Sequence, residues 1–233
     1  MTSGDTAVLD DPVGESLCGR HSRLARRLGR AATYLPDIAT FSALPPAADP
    51  SDWADLAGLL GSGEFADMFS CRATPPPDWE PVFVLDGRQM IWRGDRPGRV
   101  GAATDPGVVE LGAADVPEML RLVEQTQPGP FWPGTYQLGT YLGIRDGGTL
   151  VAMAGERLRP PGWTEISAVC TAPEARGQGH ALRLVSALSA RILSRNERPF
   201  LHVADTNTAA IALYERLGFE SRTQVTFRGF RTP

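Results

Sequence analysis

The 233-residue chain contains no lysine; all 23 of its basic residues are arginine. That absence removes whole classes of chemistry. A GxxxxGK[ST] phosphate loop needs its lysine, and a pyridoxal enzyme needs one for its internal Schiff base. Cysteine is scarce, with three residues at 18, 71 and 170 and no CxxC pair. An odd count at such spacing argues against a disulfide scaffold and against a structural zinc site. Histidine is equally rare, at 21, 180 and 202, and no HExxH occurs; no metal is expected. No apolar run reaches the length of a membrane span. The opening MTSGDTAVLDDPVGES is acidic and polar, unlike a secretory leader. With a net charge of -4 and no basic block, nothing marks a nucleic-acid partner. The expected setting is reduced and cytoplasmic, without membrane or nucleic-acid partners.

What remains is an ordinary globular composition, 42% hydrophobic and 21% charged. Residues 1–105 are weakly patterned. Leu17–Leu28 reads as an Arg-rich helix. Ser51 to Leu60 reads as an amphipathic helix with Ser51 or Asp52 as its cap. PVFVLDGRQMIWR reads as two short strands turning at Asp86-Gly87. The Gly- and Pro-rich stretch 94–107 is a boundary candidate, dividing an N-terminal domain, 1–105, from a second domain, 106–233. Beyond it the pattern becomes regular. A strand at 108–111 leads to a helix capped by Asp115. Three strand-like runs follow, then a helix from Gly179 with Leu182, Val185, Leu188 and Ile192 on one stripe. PFLHVA is a buried strand, a helix capped by Thr206 or Asn207 ends at Gly218, and a last strand runs through QVTFRGF. The order is β-α-β-β-β-α-β-α-β.

Two local motifs carry chemistry. Arg176-Gly177-Gln178-Gly179-His180-Ala181 sits between a strand and a helix, where glycines leave backbone N–H groups unobstructed and the helix N-terminus favours an anion. Leu182 stands where a dinucleotide fingerprint would have its third glycine, so this is a different phosphate cradle. In NTAAIALYERLGF, helical spacing brings Asn207, Ala210 and Tyr214 onto one face, with Leu213 and Leu217 on another.

Together these motifs resemble those of the GNAT superfamily of acyl-CoA-dependent N-acyltransferases. Arg176, Gly179 and Ala181 match its (Q/R)xxGx(G/A) loop. Asn207, Ala210, Tyr214, Leu217, Gly218 and Phe219 match its second helix. The segment GERLRPPGWTEISAVCTAPEARGQGHA resembles the glycine N-acyltransferase-like branch, some members of which carry a decayed GNAT-like half ahead of the active one. The resemblance implies an α/β (α+β) fold, a mixed, mostly antiparallel sheet flanked by helices, with an N-terminal α/β half. It implies acetyl-CoA or another acyl-CoA as co-substrate and a small-molecule or peptide amine as acceptor. Residues 176–181, including Gly177, Gln178 and His180, would hold the pyrophosphate. Val169, Cys170 and Thr171 would pair with the pantetheine arm. Asn207 would bond to that arm, Ala210 would leave it room, and Tyr214 would protonate the departing thiolate.

The amine must lose a proton before it attacks. Glu165, eleven residues before Arg176, stands at the register of the base in some GNAT enzymes; Glu156 and water are the alternatives. Cys170 invites an acyl-enzyme, but strand alternation turns it away from Glu165. Phe131, Trp132 and Tyr136 lie in a loop that borders the acceptor site in such folds. A non-catalytic CoA-binding or sensing module on the same fold is the rival reading.

Overall fold

A computed structural model describes residues 3–69, 71–94 and 105–233. The chain starts with a 3-10 segment and α1 (Pro12–Cys18), whose N-cap Asp11 accepts from Gly14 N. Then come β1 (Ala25–Leu28), β2 (Ala31–Tyr34), β3 (Ser42–Ala43), α2 (Pro50–Leu60), β4 (Phe65–Asp67) and β5 (Glu80–Trp92). Residues 95–104, most of the expected boundary stretch, lie outside the described residues. They are followed by β6 (Val109–Leu111), α3 (Val116–Thr126), β7 (Tyr141–Asp146), β8 (Thr149–Glu156) and β9 (Trp163–Thr171). The chain finishes with α4 (His180–Ser194), β10 (Arg198–Ala204), α5 (Thr208–Arg216) and β11 (Phe219–Arg231). Setting short 3-10 turns aside, the β-α-β-β-β-α-β-α-β order from residue 106 is the one the sequence predicts.

Strands β1, β2 and β3 form a small antiparallel sheet. The other eight form one mixed sheet in the order β4-β11-β5-β10-β9-β8-β7-β6. Its pairings are antiparallel except that between β10 and β9. β5 inserts between β11 and β10. Strands from both sides of the expected boundary therefore share one sheet.

Helix α4 buries Leu184, Val185, Leu188 and Ile192 against that sheet. Leu182 departs from the expected stripe: it lies in the first turn beside the glycine loop and is 38% exposed. Three other expectations are corrected. Beyond Cys18 the Arg-rich segment is a turn and β1, because pairing with β2 outweighs local helix propensity. Helix α2 is capped by Asp49 rather than Ser51 or Asp52, and its capping box with Asp52 starts the helix at Pro50. Asp86-Gly87 is no turn: β5 is continuous and pairs with β11 along its length. Gly87 serves close approach instead, since a Cβ there would come within 2.6 Å of the Val203 carbonyl oxygen and 2.5 Å of the Phe227 ring.

Candidate active site

β9 and β10 run parallel but pair only at Arg198↔Trp163, Pro199↔Thr164 and Phe200↔Glu165. Beyond these pairs the strands part. A register shift against β8, between Met153 and Gly155, accompanies the change, with Ala168 at φ 52°. The edge of β9 facing β10 is then without a strand partner from Ile166 onward, and a groove of about 640 Å³ opens there. Ile166–Thr171 line one wall and His202, Val203 and Ala204 the other.

At one end of the groove the chain passes through Arg176 into α4. Gly177 and Gly179 have φ of 77° and 79°, and a Cβ on either would meet nothing within 4 Å. Glycine is thus favoured by backbone conformation, and open space faces both residues. The first bond of α4 runs from Arg183 N to Gly179 O, leaving the N–H groups of His180, Ala181 and Leu182 without intrahelical partners. Arg176 and Ala181 line the groove. This geometry suits a pyrophosphate, and CoA fits the donors present.

α5 supplies the opposite flank. Asn207, Ala210 and Tyr214 all line the groove, as their spacing requires. Asn207 spends Oδ1 on the N–H of Ala210, capping the helix at 3.2 Å, so its amide N–H groups are what it can offer to a ligand. Tyr214 is 7% exposed, and burial pushes its hydroxyl up to about 12. Among the described residues that hydroxyl has no hydrogen-bond partner. Leu213, expected in the core, also reaches the groove.

The carboxylates behave differently from the sequence expectation. Glu165 is fully buried and does not line the groove. Arg157 donates to it twice, Nε to Oε2 at 2.8 Å and Nη2 to Oε1 at 2.6 Å. His202 Nδ1 lies 2.6 Å from the same Oε1. Arg157 and His202 hold Glu165 down at about 2, although burial alone would raise it. Its lone pairs are committed, which leaves no room for a substrate proton. Glu156 is also fully buried and away from the groove, paired with Arg195 at 2.8 Å and the Thr140 amide at 3.1 Å. His202 is engaged at both nitrogens. Gln89 Nε2 donates to its Nε2 at 3.1 Å, so Nδ1–H donates to Glu165 and the ring is neutral. Burial lowers its pKa, in keeping with this.

Phe131, Trp132 and Tyr136 do not line the groove. Phe131 packs edge-on against Tyr141 at 5.6 Å, and Phe131 and Tyr136 flank the main core. Their loop instead ties to the N-terminal half, with Gly134 N donating to Asp37 O and Thr135 Oγ1 to Ile38 O. From that loop it is Thr126–Pro130 that reaches the groove. The aromatic wall comes from elsewhere: Phe41, Phe69 and Phe83 of the N-terminal half and Phe227 of β11. Asp67, at the end of β4, lines the same wall. No motif marked these residues; only the pairing of β4 and β5 with the larger sheet brings them in.

The FR47-like protein family model matches residues 141–228, which contain the splayed strands, the glycine loop and α5. A GNAT-family protein from Novosphingobium aromaticivorans DSM 12444 is 40% identical, with a TM-score of 0.87 over 97% of this chain and 99% of its own. The chain belongs to the GNAT family. A GCN5-related N-acetyltransferase from Kribbella flavida, 17% identical over 95% of this chain and 94% of its own, shares the GNAT fold at a TM-score of 0.62. The N-alpha-acetyltransferase RimI of Mycobacterium tuberculosis is 39% identical over 83 residues, 34% of this chain. An uncharacterised Mycobacterium leprae protein is 29% identical over 94% of it. The chain spans 64% of the length of the latter and 51% of RimI. Among the described residues no cluster of three metal-ligating side chains occurs, and no helix is long and apolar enough to cross a membrane.

Proposed function

We propose that this GNAT protein transfers an acyl group from acyl-CoA to the amine of an acceptor by direct attack, with both substrates bound at once. The observation that carries this reading is the parting of β9 from β10 beside the Gly177–Gly179 loop. An unpaired strand edge lies in the groove, and Arg176 and Ala181 carry the end of that groove to the first turn of α4 with its unused N–H groups. The bound co-substrate would supply an activated acyl thioester. Residues 176–181 would hold its diphosphate, and the free edge of β9 at Val169–Thr171 would align the pantetheine arm by strand-like pairing. A backbone N–H on that edge would meet the negative charge developing on the carbonyl oxygen. The Asn207 amide would bond to the arm, Ala210 would leave room for it, and the Tyr214 hydroxyl would donate to the departing sulfur.

Residues 1–105 would bind no CoA and would shape the acceptor side, a role supported by their share of the groove wall. Their reading as a degenerate GNAT half, and the glycine N-acyltransferase-like branch, rest on sequence resemblance alone. Free thiols at all three cysteines accord with a cytoplasmic setting.

Calorimetry with CoA, followed by thioester turnover with a panel of amines, tests the proposal. One CoA per chain, lost in a folded Gly179→Asp variant, together with amine-dependent thiol release, is the expected result. Binding without turnover across the panel would favour a CoA-sensing module; unchanged affinity in Gly179→Asp would remove the CoA assignment.

A further inference from the structure

We propose that Asp67, supplied by the N-terminal half, is the anchor and proton acceptor of an aromatic-walled acceptor pocket that takes a primary amine carried on an apolar body. The proposal rests on the acyl-transfer reading above and names the acceptor class and the base of that site.

Asp67 ends β4, where it pairs with Gly229 of β11 on one side and bridges to Phe41 on the other. Its backbone is thereby fixed between two segments. The side chain is buried yet lines the groove. Thr40 Oγ1 donates to Oδ2 at 3.0 Å, which orients the carboxyl group. Around it stand the rings of Phe41, Phe69 and Phe227, with Phe69 and Phe227 stacked at 4.8 Å. A carboxylate in such a wall is costly to bury without a functional partner. An ammonium group would relieve that cost, and its apolar substituent would cover the rings.

The other titratable side chains of the groove do not serve as the base. Glu165 and Glu156 lie outside it. His202 has both nitrogens bonded. Burial pushes the Cys170 thiol to about 11 and the Tyr214 hydroxyl to about 12. Arg157 and Arg176 are cations. Among the described residues Asp67 is left. Burial raises its carboxyl to about 6, against the opposing effects of the Thr40 hydroxyl and of Arg157. The charged groups near it are accounted for. Arg157, which follows β8, is bound to Glu165 of β9 and lies over the Phe41 and Phe69 rings at 5.0 and 4.7 Å. His202 of β10 is neutral, and Arg228 of β11 turns to the carbonyls of Cys71 and Ala73.

The step balances. The ammonium passes one proton to Asp67. The nitrogen lone pair forms a C–N bond to the thioester carbonyl carbon and the C–S bond breaks. The sulfur leaves as thiolate and takes a proton from Tyr214. Tyr214 regains one from the nitrogen through water, Asp67 returns its own to solvent, and the net reaction releases one proton.

The test compares wild type, Asp67→Asn and Phe69→Leu, with acetyl-CoA as donor and 2-phenylethylamine or ethanolamine as acceptor, across pH 5–9. Wild type should prefer 2-phenylethylamine, with kcat/KM falling on the acid side near pH 6. Asp67→Asn should keep its acetyl-CoA affinity, lose about 10²–10⁴-fold in kcat/KM at pH 7, and recover as pH approaches that of the free amine. Phe69→Leu should raise KM for 2-phenylethylamine and leave the acid limb in place. An unimpaired Asp67→Asn, or a preference for ethanolamine, overturns the proposal. So does a wild type that binds CoA and acetylates other amines but not 2-phenylethylamine, although acyl transfer itself would then stand. Failure to bind CoA at all would instead sink the reading beneath it.

Discussion

Arg157 meets Glu165 edge to edge, each of two guanidinium nitrogens on its own carboxylate oxygen, at 2.8 and 2.6 Å. Both side chains are almost wholly removed from water. This is the arrangement in which a charge pair is costly to break, because the surviving partner stays buried and uncompensated. The pair also carries the neighbouring wall: the same guanidinium lies over Phe41 and Phe69, and the same carboxylate fixes the tautomer of His202. Glu165 therefore positions the groove from behind.

The first prediction follows from that placement. Glu165→Ala should lower stability by about 3–5 kcal/mol, read as an earlier midpoint in chemical denaturation. The folded carboxyl sits at about 2 against an ordinary 4.5. The unfolded chain therefore binds its proton first, and this contribution is present above pH 4.5 and lost as pH falls toward 2. The variant should lack that acid-side loss. In the milder Glu165→Gln, the acid limb of kcat/KM should stay near pH 6, since a group titrating at about 2 does not set it. A limb displaced by this substitution alone would restore Glu165 as the base.

Asp67 gives the opposite sign. Its folded carboxyl is raised from 3.8 to about 6. Between those values the native state holds a proton that the unfolded chain has released, so stability from this group declines as pH rises through the window. Above pH 6 the ionised side chain opposes folding. Asp67→Asn should therefore melt no lower than wild type at pH 7 and should lose that component of the pH dependence, even as it loses activity. A variant that is markedly less stable at pH 7 would make Asp67 a structural carboxylate.

Tyr214→Phe removes a hydroxyl that no described residue engages. Stability and CoA affinity should hardly change, since the ring keeps its 6.1 Å edge contact with Phe219. kcat should fall about 10²-fold, at the lower end of the range for acid catalysis, and the defect should shrink with thioesters whose thiol is more acidic. Steady-state kinetics with acetyl-CoA and an activated acetyl thioester would check both parts.

The sequence made legible what is local. The glycine loop and the Asn207–Tyr214 face each lie within one turn or one helix, so spacing alone places their side chains, and the strand order from 108 onward follows from hydrophobic runs and turns. What depended on pairing between distant segments was hidden. Asp86-Gly87 carries a hairpin signature, but 13-residue β5 runs through it because β11 pairs along its length. Asp67 and Phe69 sit in a short, irregular stretch with no motif and become groove residues only through β4–β11 pairing. Glu165 had a plausible register, yet register does not disclose that an arginine eight residues earlier already occupies the carboxylate.

Gly87→Ala tests the continuous-strand reading directly. A turn glycine of the expected hairpin would tolerate alanine poorly through its backbone, whereas here the obstacle is contact. The new methyl would fall 2.6 Å from Val203 O and 2.5 Å from the Phe227 ring. A destabilisation of about 1–3 kcal/mol is expected, and displacement of Phe227 should raise KM for an aromatic amine. Gly87→Ala combined with Phe227→Leu should recover part of the stability, a rescue that a turn conformation would not give.

Cys170 decides between direct transfer and an acyl-enzyme. It lines the groove, near enough to the proposed acyl position to be a nucleophile by location. Location is not reactivity, because the attacking species is the thiolate. The residue is 7% exposed and burial pushes its thiol to about 11. At pH 7 the thiolate would then be on the order of one molecule in ten thousand. The hydrogen bonds from Thr126 and Met153 only partly offset burial. Cys170→Ala should therefore keep kcat within a few-fold of wild type, and iodoacetamide should label the native thiol slowly at pH 7. Initial-rate lines for acyl-CoA and amine should intersect, as they do when both substrates must bind before product leaves. Parallel lines, together with an inactive Cys170→Ala and an acetylated Cys170 trapped from acetyl-CoA in the absence of amine, would move the chemistry to the cysteine and leave Asp67 to activate the amine in a second step.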